Sequence, residues 1–93
     1  MKSMRLQRGL SQLALGRKLG LDPGVASTRI NRYEVGVHDP DLATAQQIAQ
    51  ALGVPLAYLF AADKKLARAI LAFDQLSAKE KDAFLAALEG KHA

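Results

Sequence analysis

The stretch GLSQLALGRKLGLDPGVASTRINRYEVGVHDP, Gly9 to Pro40, decides the fold. Two helix starts are written into it. Ser11 stands ahead of a run in which Leu15 and Leu19 fall at i and i+4, and a serine there accepts hydrogen bonds from the first free backbone N–H groups. Asp22-Pro23 is the second start, an acidic N-cap followed by proline at the first helical position, where a missing N–H does no harm. Leu19-Gly20 closes the earlier helix, so the stretch predicts two short helices joined by a tight turn. Gly16 sits inside the first of them at a cost of about 1 kcal/mol of helix propensity relative to alanine. A glycine in that place predicts another helix passing close.

The second helix of the pair is expected to run to about Tyr33. Ala26, Ile30 and Tyr33 recur at i, i+4 and i+7 and form its buried stripe. The opposite side carries Ser27, Thr28, Asn31 and Arg32, with Arg29 on the flank, and Gly36 follows as a turn residue. An apolar inner face with an outer face of small polar and arginine side chains suits a DNA major groove.

Outward from this stretch, the helical pattern continues in both directions. Lys2 to Arg8 reads as a short first helix with Gly9 as its stop. Asp41 or Thr44 can cap a fourth helix ending near Leu52, with Ala45, Ile48, Ala49 and Leu52 inside. Gly53-Val54-Pro55 breaks the chain before a helix of one or two turns through Phe60. Asp63 opens another, with Leu66, Ile70 and Phe73 on one stripe. Ser77-Ala78-Lys79-Glu80 is a capping box for a last helix that carries Phe84, Leu85 and Leu88 and that Gly90 is expected to stop. No repeat, strand, hairpin or low-complexity tract is visible.

The 93 residues suffice for one small all-α domain, and with no cysteine a thin core has no disulfide to reinforce it. The missing cysteines and the missing signal-peptide pattern fit the reducing cytoplasm. Leu66 to Phe73 is interrupted by Arg68, so no membrane span is expected. The net charge of +4 is unevenly spread. Residues 1–35 carry seven basic and two acidic side chains, a balance of +5, whereas residues 36–93 carry six and seven, a balance of −1. The positive half is therefore the one that holds the helix–turn–helix pattern, as a polyanion-binding face requires; an ordinary solvated surface is the plainer alternative.

Five segments in order carry a resemblance. Arg5-Leu6-Gln7-Arg8-Gly9-Leu10-Ser11-Gln12, Leu19-Gly20, Ile30-Asn31-Arg32-Tyr33-Glu34-x-Gly36, Pro40, and Ile48-Ala49-x-Ala51-Leu52-Gly53-Val54 together resemble the lambda-repressor-like, Xre-type helix-turn-helix family over roughly residues 1–61. The resemblance implies a five-helix domain over residues 1–62, binding double-stranded DNA as a symmetric homodimer on a palindromic operator, with residues 63–93 as a two-helix C-terminal extension. It implies that Gln12 starts the second helix near phosphate and that Ser27, Thr28, Arg29 and Arg32 match positions that meet base edges. It also implies a buried ion pair between Arg5 and Glu34. The sequence departs from the family in three respects. The first helix lacks the residues that usually precede it, which implies a shortened chain or reliance on the C-terminus. The connection from Gly20 to Glu34 is about four residues longer than usual, which extends either the third helix or its approach loop. Residues 63–93 lie outside the common core.

These residues have bland readings too. Arg29 and Arg32 can each donate a bidentate pair to guanine O6 and N7, or can pair with Glu34 or Asp22, or touch phosphate only. Ser27, Thr28 and Asn31 cluster as DNA contacts or are plain surface polars. Ser11 is a helix cap whose neighbouring free N–H groups can also receive phosphate. Leu13 is expected to point outward beside Gln12, as a thymine-methyl contact, a partner contact or a lone exposed leucine, and His38, beyond the third helix, either touches the DNA backbone or, the commoner case, faces solvent. His38 and His92 have no metal-ligand spacing, so no metal or other cofactor is expected, and no nucleophile–base arrangement suggests an enzyme. The expectation is a sequence-specific DNA-binding transcriptional regulator, a repressor. The alternative is an antitoxin-like or other protein-interaction module, whose protein partner would be held through residues 63–93.

Overall fold

Side-chain caps fix where the helices begin. Ser11 Oγ accepts from Ala14 N at 2.9 Å, Asp22 Oδ1 from Gly24 N at 2.8 Å, Asp41 Oδ1 from Thr44 N at 2.8 Å and Asp63 Oδ1 from Leu66 N at 2.7 Å. Ser77 and Glu80 complete the reciprocal capping box, at 3.2 and 3.0 Å. In the computed structural model, which describes residues 1–91, these caps open five of seven helices. They are α1 (Lys2–Gln7), α2 (Gln12–Lys18), α3 (Pro23–Val35), α4 (Leu42–Leu52), α5 (Leu56–Leu59), α6 (Lys64–Asp74) and α7 (Ala78–Gly90). The described residues contain no strand. The fold is the expected all-α one.

The core lies between α1 to α5. Met4, Leu15, Ile30, Ile48, Ala49, Leu52 and Val54 form its buried cluster, with Tyr33, Tyr58 and Leu59 packed partly against it. All four positions expected inside α4 are buried. Gly16 answers to a close approach: a Cβ there would lie 2.6 Å from Ala26 Cβ and 3.0 Å from the Ala26 carbonyl oxygen. No neighbouring side chain can swing away from backbone atoms, so only glycine lets α2 sit this deep against α3.

Two boundaries differ from the sequence reading. α3 continues to Val35, two residues past Tyr33, because its stop is Gly36 at φ +80°, a left-handed conformation that glycine adopts without a Cβ clash. Gly90 does not stop α7; it is the last helical residue, with Lys91 as C-cap and no positive φ. The segment after Gly20 is helix and not a long loop: only Leu21 and Asp22 separate Gly20 from Pro23, the first residue of the 13-residue α3.

α1 has six residues, too few to hold a helix alone. Two arginines fasten it. Arg5 Nε donates to Glu34 Oε2 at 2.6 Å, Arg5 Nη2 to Glu34 Oε1 at 3.3 Å, and Arg5 Nη1 to the Leu10 carbonyl at 2.8 Å. The side chains of this pair are only 7 % and 2 % exposed, so the expected pair exists and is more deeply buried than a surface bridge. Arg8 Nε donates to the Leu52 carbonyl at 2.8 Å, joining the end of α1 to the end of α4.

The C-terminal helices pack differently from the rest. The molecule extends 52 × 24 × 22 Å, and no residue of α6 or α7 is buried. Leu71 of α6 leans on the core cluster. α7 is held to α6 by Phe84 against Phe73, ring centroids 5.9 Å apart, with Lys81 Nζ 5.5 Å above the Phe73 ring. Leu66, Phe84, Leu85 and Leu88 remain between 41 and 47 % exposed.

Two substitutions test this packing. Gly16→Ala should destabilise the domain by about 1–3 kcal/mol in denaturant unfolding, although alanine is the better helix former, because the added methyl must push α2 off α3. Arg5→Met should cost about 3–5 kcal/mol by leaving the Glu34 carboxylate buried without its cation. A melting temperature close to wild type in Arg5→Met would place the pair in solvent.

Candidate nucleic-acid interface

α3 presents three surfaces. Ala26, Ile30 and the half-buried Tyr33 face the core. At about 100° per residue, Gly24, Thr28 and Arg32 lie opposite that stripe. Every residue from Ser27 to Arg29, and Asn31 and Arg32, is exposed. The N-terminal half of α3 also exposes Val25, 45 % accessible, which the sequence reading did not single out.

One flank of α3 is a polar network with α2. Gln12, half-buried at the first position of α2, donates from Nε2 to Glu34 Oε1 at 3.1 Å and to Asn31 Oδ1 at 3.2 Å. Its Oε1 accepts from Ser27 Oγ at 3.3 Å. Ser11 spends its Oγ on capping α2. The expectation that Gln12 starts the second helix is therefore met in position, and its side chain is also committed to α3. Nothing in the sequence signalled that commitment, since the partners lie 15 to 22 residues away.

The other flank carries two arginines. Arg29 and Arg32 line an open groove with Tyr33, His38 and Thr44, and with the carboxylates of Asp39 and Asp41 at its edge toward α4. Among the described residues Arg5–Glu34 is the only ion pair, so neither Arg29 nor Arg32 is neutralised by Glu34 or Asp22. His38 is exposed, as expected, and Leu13 stands outward at 40 %. Counting charges along the sequence treats all seven basic residues of the first half alike. The structure separates them: buried Arg5 and exposed Arg8 hydrogen-bond to the fold, whereas Lys2, Arg17, Lys18, Arg29 and Arg32 are exposed and, among the described residues, form no ion pair.

Glu34 is the electrostatic centre beneath this surface. Burial alone raises its carboxyl pKa. Hydrogen bonds from Arg5 and Gln12, with the charges of Arg5 and Lys2, outweigh burial and hold it below its ordinary 4.5. Asp41 and Glu80 are also lowered, by hydrogen bonds from Thr44 and Ser77 respectively.

The helix-turn-helix family model matches residues 1–59, the whole segment from α1 to α5. The chain belongs to this family, in its lambda-repressor-like, Xre-type form. The crystal structure of the transcriptional regulator BswR is similar to the whole helix-turn-helix chain, at 37% sequence identity and a TM-score of 0.87, with 96% of this chain and 88% of that chain covered. The likeness therefore continues past the family segment into α6 and α7. No curated protein matches the chain. Neither this helix-turn-helix family nor the BswR neighbour is a class of enzyme. Among the described residues no group of three His, Cys, Asp or Glu side chains is placed to hold a metal ion; His92 lies outside them. No described helix is long and apolar enough to cross a membrane.

The pH response of the helix-turn-helix domain follows from Glu34. Its folded pKa is depressed, so its contribution is complete above pH 4.5 and is lost as pH falls below that value through the folded pKa. Thermal melts should therefore lose stability on acidification below about pH 4.5. Glu34→Gln should be less stable at neutral pH and should show a shallower acid slope. Equal slopes in the two proteins would assign the acid loss to Asp41 and Glu80.

Proposed function

We propose that the chain is a sequence-specific, DNA-binding transcriptional regulator that acts as a homodimer in the cytoplasm and represses by occupying a palindromic operator. The observation that carries this reading is the outer surface of α3, where Thr28, Asn31, Arg29 and Arg32 are exposed and, among the described residues, neither arginine forms an ion pair. α3 enters the major groove. Arg29 and Arg32 donate to guanine O6 and N7, and Ser27, Thr28 and Asn31 meet neighbouring base edges. Ser11 and Gln12, at the start of α2, border the sugar–phosphate backbone. Membership of the helix-turn-helix family and the likeness to a transcriptional regulator support the assignment.

Dimerisation falls to α6 and α7. Phe84, Leu85 and Leu88 are still 41 to 45 % exposed, so covering the remainder stabilises each by under half of the roughly 1.5–3 kcal/mol of complete burial, and two-fold pairing covers a copy with a copy. The same exposed face favours the second reading, a module that binds another protein through residues 63–93.

Binding to duplex DNA should weaken steeply as salt rises, because phosphate contacts release counterions. Arg32→Ala should relax base preference at one position per half-site and cost about 1–3 kcal/mol. Undetectable binding at low salt, or affinity flat across salt, would reject the DNA reading. A chain ending at Asp63 should remain helical, sediment as a monomer and lose tight binding to a two-half-site operator. A full-length chain that stays monomeric at high concentration would leave α7 to a foreign partner.

A further inference from the structure

We infer that the buried carboxylate of Glu34 sets, through Gln12, which hydrogen-bonding groups Asn31 and Ser27 present to a base, so that Gln12 is a positioning residue for sequence preference. The inference rests on the DNA-binding reading above and adds a polarity to it. A carboxylate only accepts hydrogen bonds. Glu34 Oε1 already receives Arg5 Nη2, and Gln12 must turn its Nε2, not its Oε1, toward the same oxygen, at 3.1 Å. That choice fixes the amide. The second Nε2 proton points at Asn31, at 3.2 Å, so the Asn31 atom facing it must be Oδ1. Asn31 Nδ2 is then left with its two donors for the exterior. On the other side Gln12 Oε1 takes the single hydroxyl proton of Ser27, at 3.3 Å, leaving the serine oxygen outward as an acceptor. This last link is the longest of the three.

The consequence is chemical. Asn31 as a donor is matched by acceptor edges, best by guanine with N7 and O6, and is mismatched by the N4 amino group of cytosine. Ser27 as an acceptor is matched by cytosine N4 or adenine N6 and contributes less, in keeping with its longer bond. An asparagine on an exposed helix ordinarily offers either end of its amide. Here one end is spoken for from within the fold.

The full chain and variants of it are put through selection on a random duplex library, with binding to the selected site compared with random DNA. The wild-type motif should disfavour cytosine at one position and show a weaker preference for an amino-bearing base beside it. Gln12→Met keeps the bulk and removes the relay. It should flatten those two positions, leave the position read by Arg32 intact, and lower the ratio of specific to random binding by about tenfold. Asn31→Asp reverses the outward polarity and should move that position toward cytosine; Ser27→Ala should erase the weaker preference. An unchanged motif with uniform weakening in Gln12→Met would make Gln12 a phosphate contact and overturn the inference. If Gln12→Met does not fold, judged by circular dichroism, the two exposed variants decide: motifs identical to wild type in both overturn it as well. A wild-type protein that selects no motif at all defeats the DNA-binding reading, and the inference falls with it.

Discussion

The Arg5–Glu34 pair is the constraint on which the other parts depend. It joins side chains 29 residues apart and closes the first helix onto the last turn of the third. Without it α1 is six residues with one buried methionine, far below the length at which helix formation sustains itself. Burying a full charge pair is not the most stable way to fill that space; apolar side chains of similar volume often do as well or better. What the pair adds is direction. Each Arg5 nitrogen and both Glu34 oxygens are hydrogen-bonded, and among the described residues no buried side-chain nitrogen or oxygen lacks a partner. A network in that condition has one low-energy arrangement, and α3 is held in a single rotation about its axis.

The second constraint is contact distance. Gly16 against Ala26 brings two backbones together where most helix pairs are separated by side chains. α2 and α3 therefore move as one rigid unit, with Ser11 and Asp22 closing their N-termini. Groups that must meet another molecule in a fixed pattern are best mounted on elements whose own rotamers and axes cannot drift. The outer side chains of α3 gain from this even though they touch little of the core.

Much of this architecture was legible in the sequence, for a local reason. Caps, the Asp22-Pro23 start, the glycine stops and the i, i+4 stripes involve residues within one or two turns, so spacing alone exposes them. Ser11, Asp22, Asp63 and Ser77 all cap as expected, and Gly16 marks a real close approach. Gly90 misled because a glycine stops a helix only where the backbone turns left-handed, and it does not do so there. The finer features of the candidate site were hidden because they are long-range. Gln12 looks like a surface residue until α2 and α3 are packed, and Arg8 looks like free charge until Leu52 arrives beside it. The family resemblance supplied the Arg5–Glu34 contact, which spacing alone could not.

α7 has a consequence of its own for the internal dynamics of the chain. It has 13 helical residues, a full capping box and no buried side chain. An isolated helix of that length is marginal in water, so its amides open by local fraying and not with the core. Hydrogen exchange in the separated chain should therefore show two tiers, slow across α2 to α4 and fast beyond Ser77. Any surface that covers Phe84, Leu85 and Leu88 merges the tiers, and the exchange rate of α7 becomes a residue-level gauge of how much of the protein is assembled.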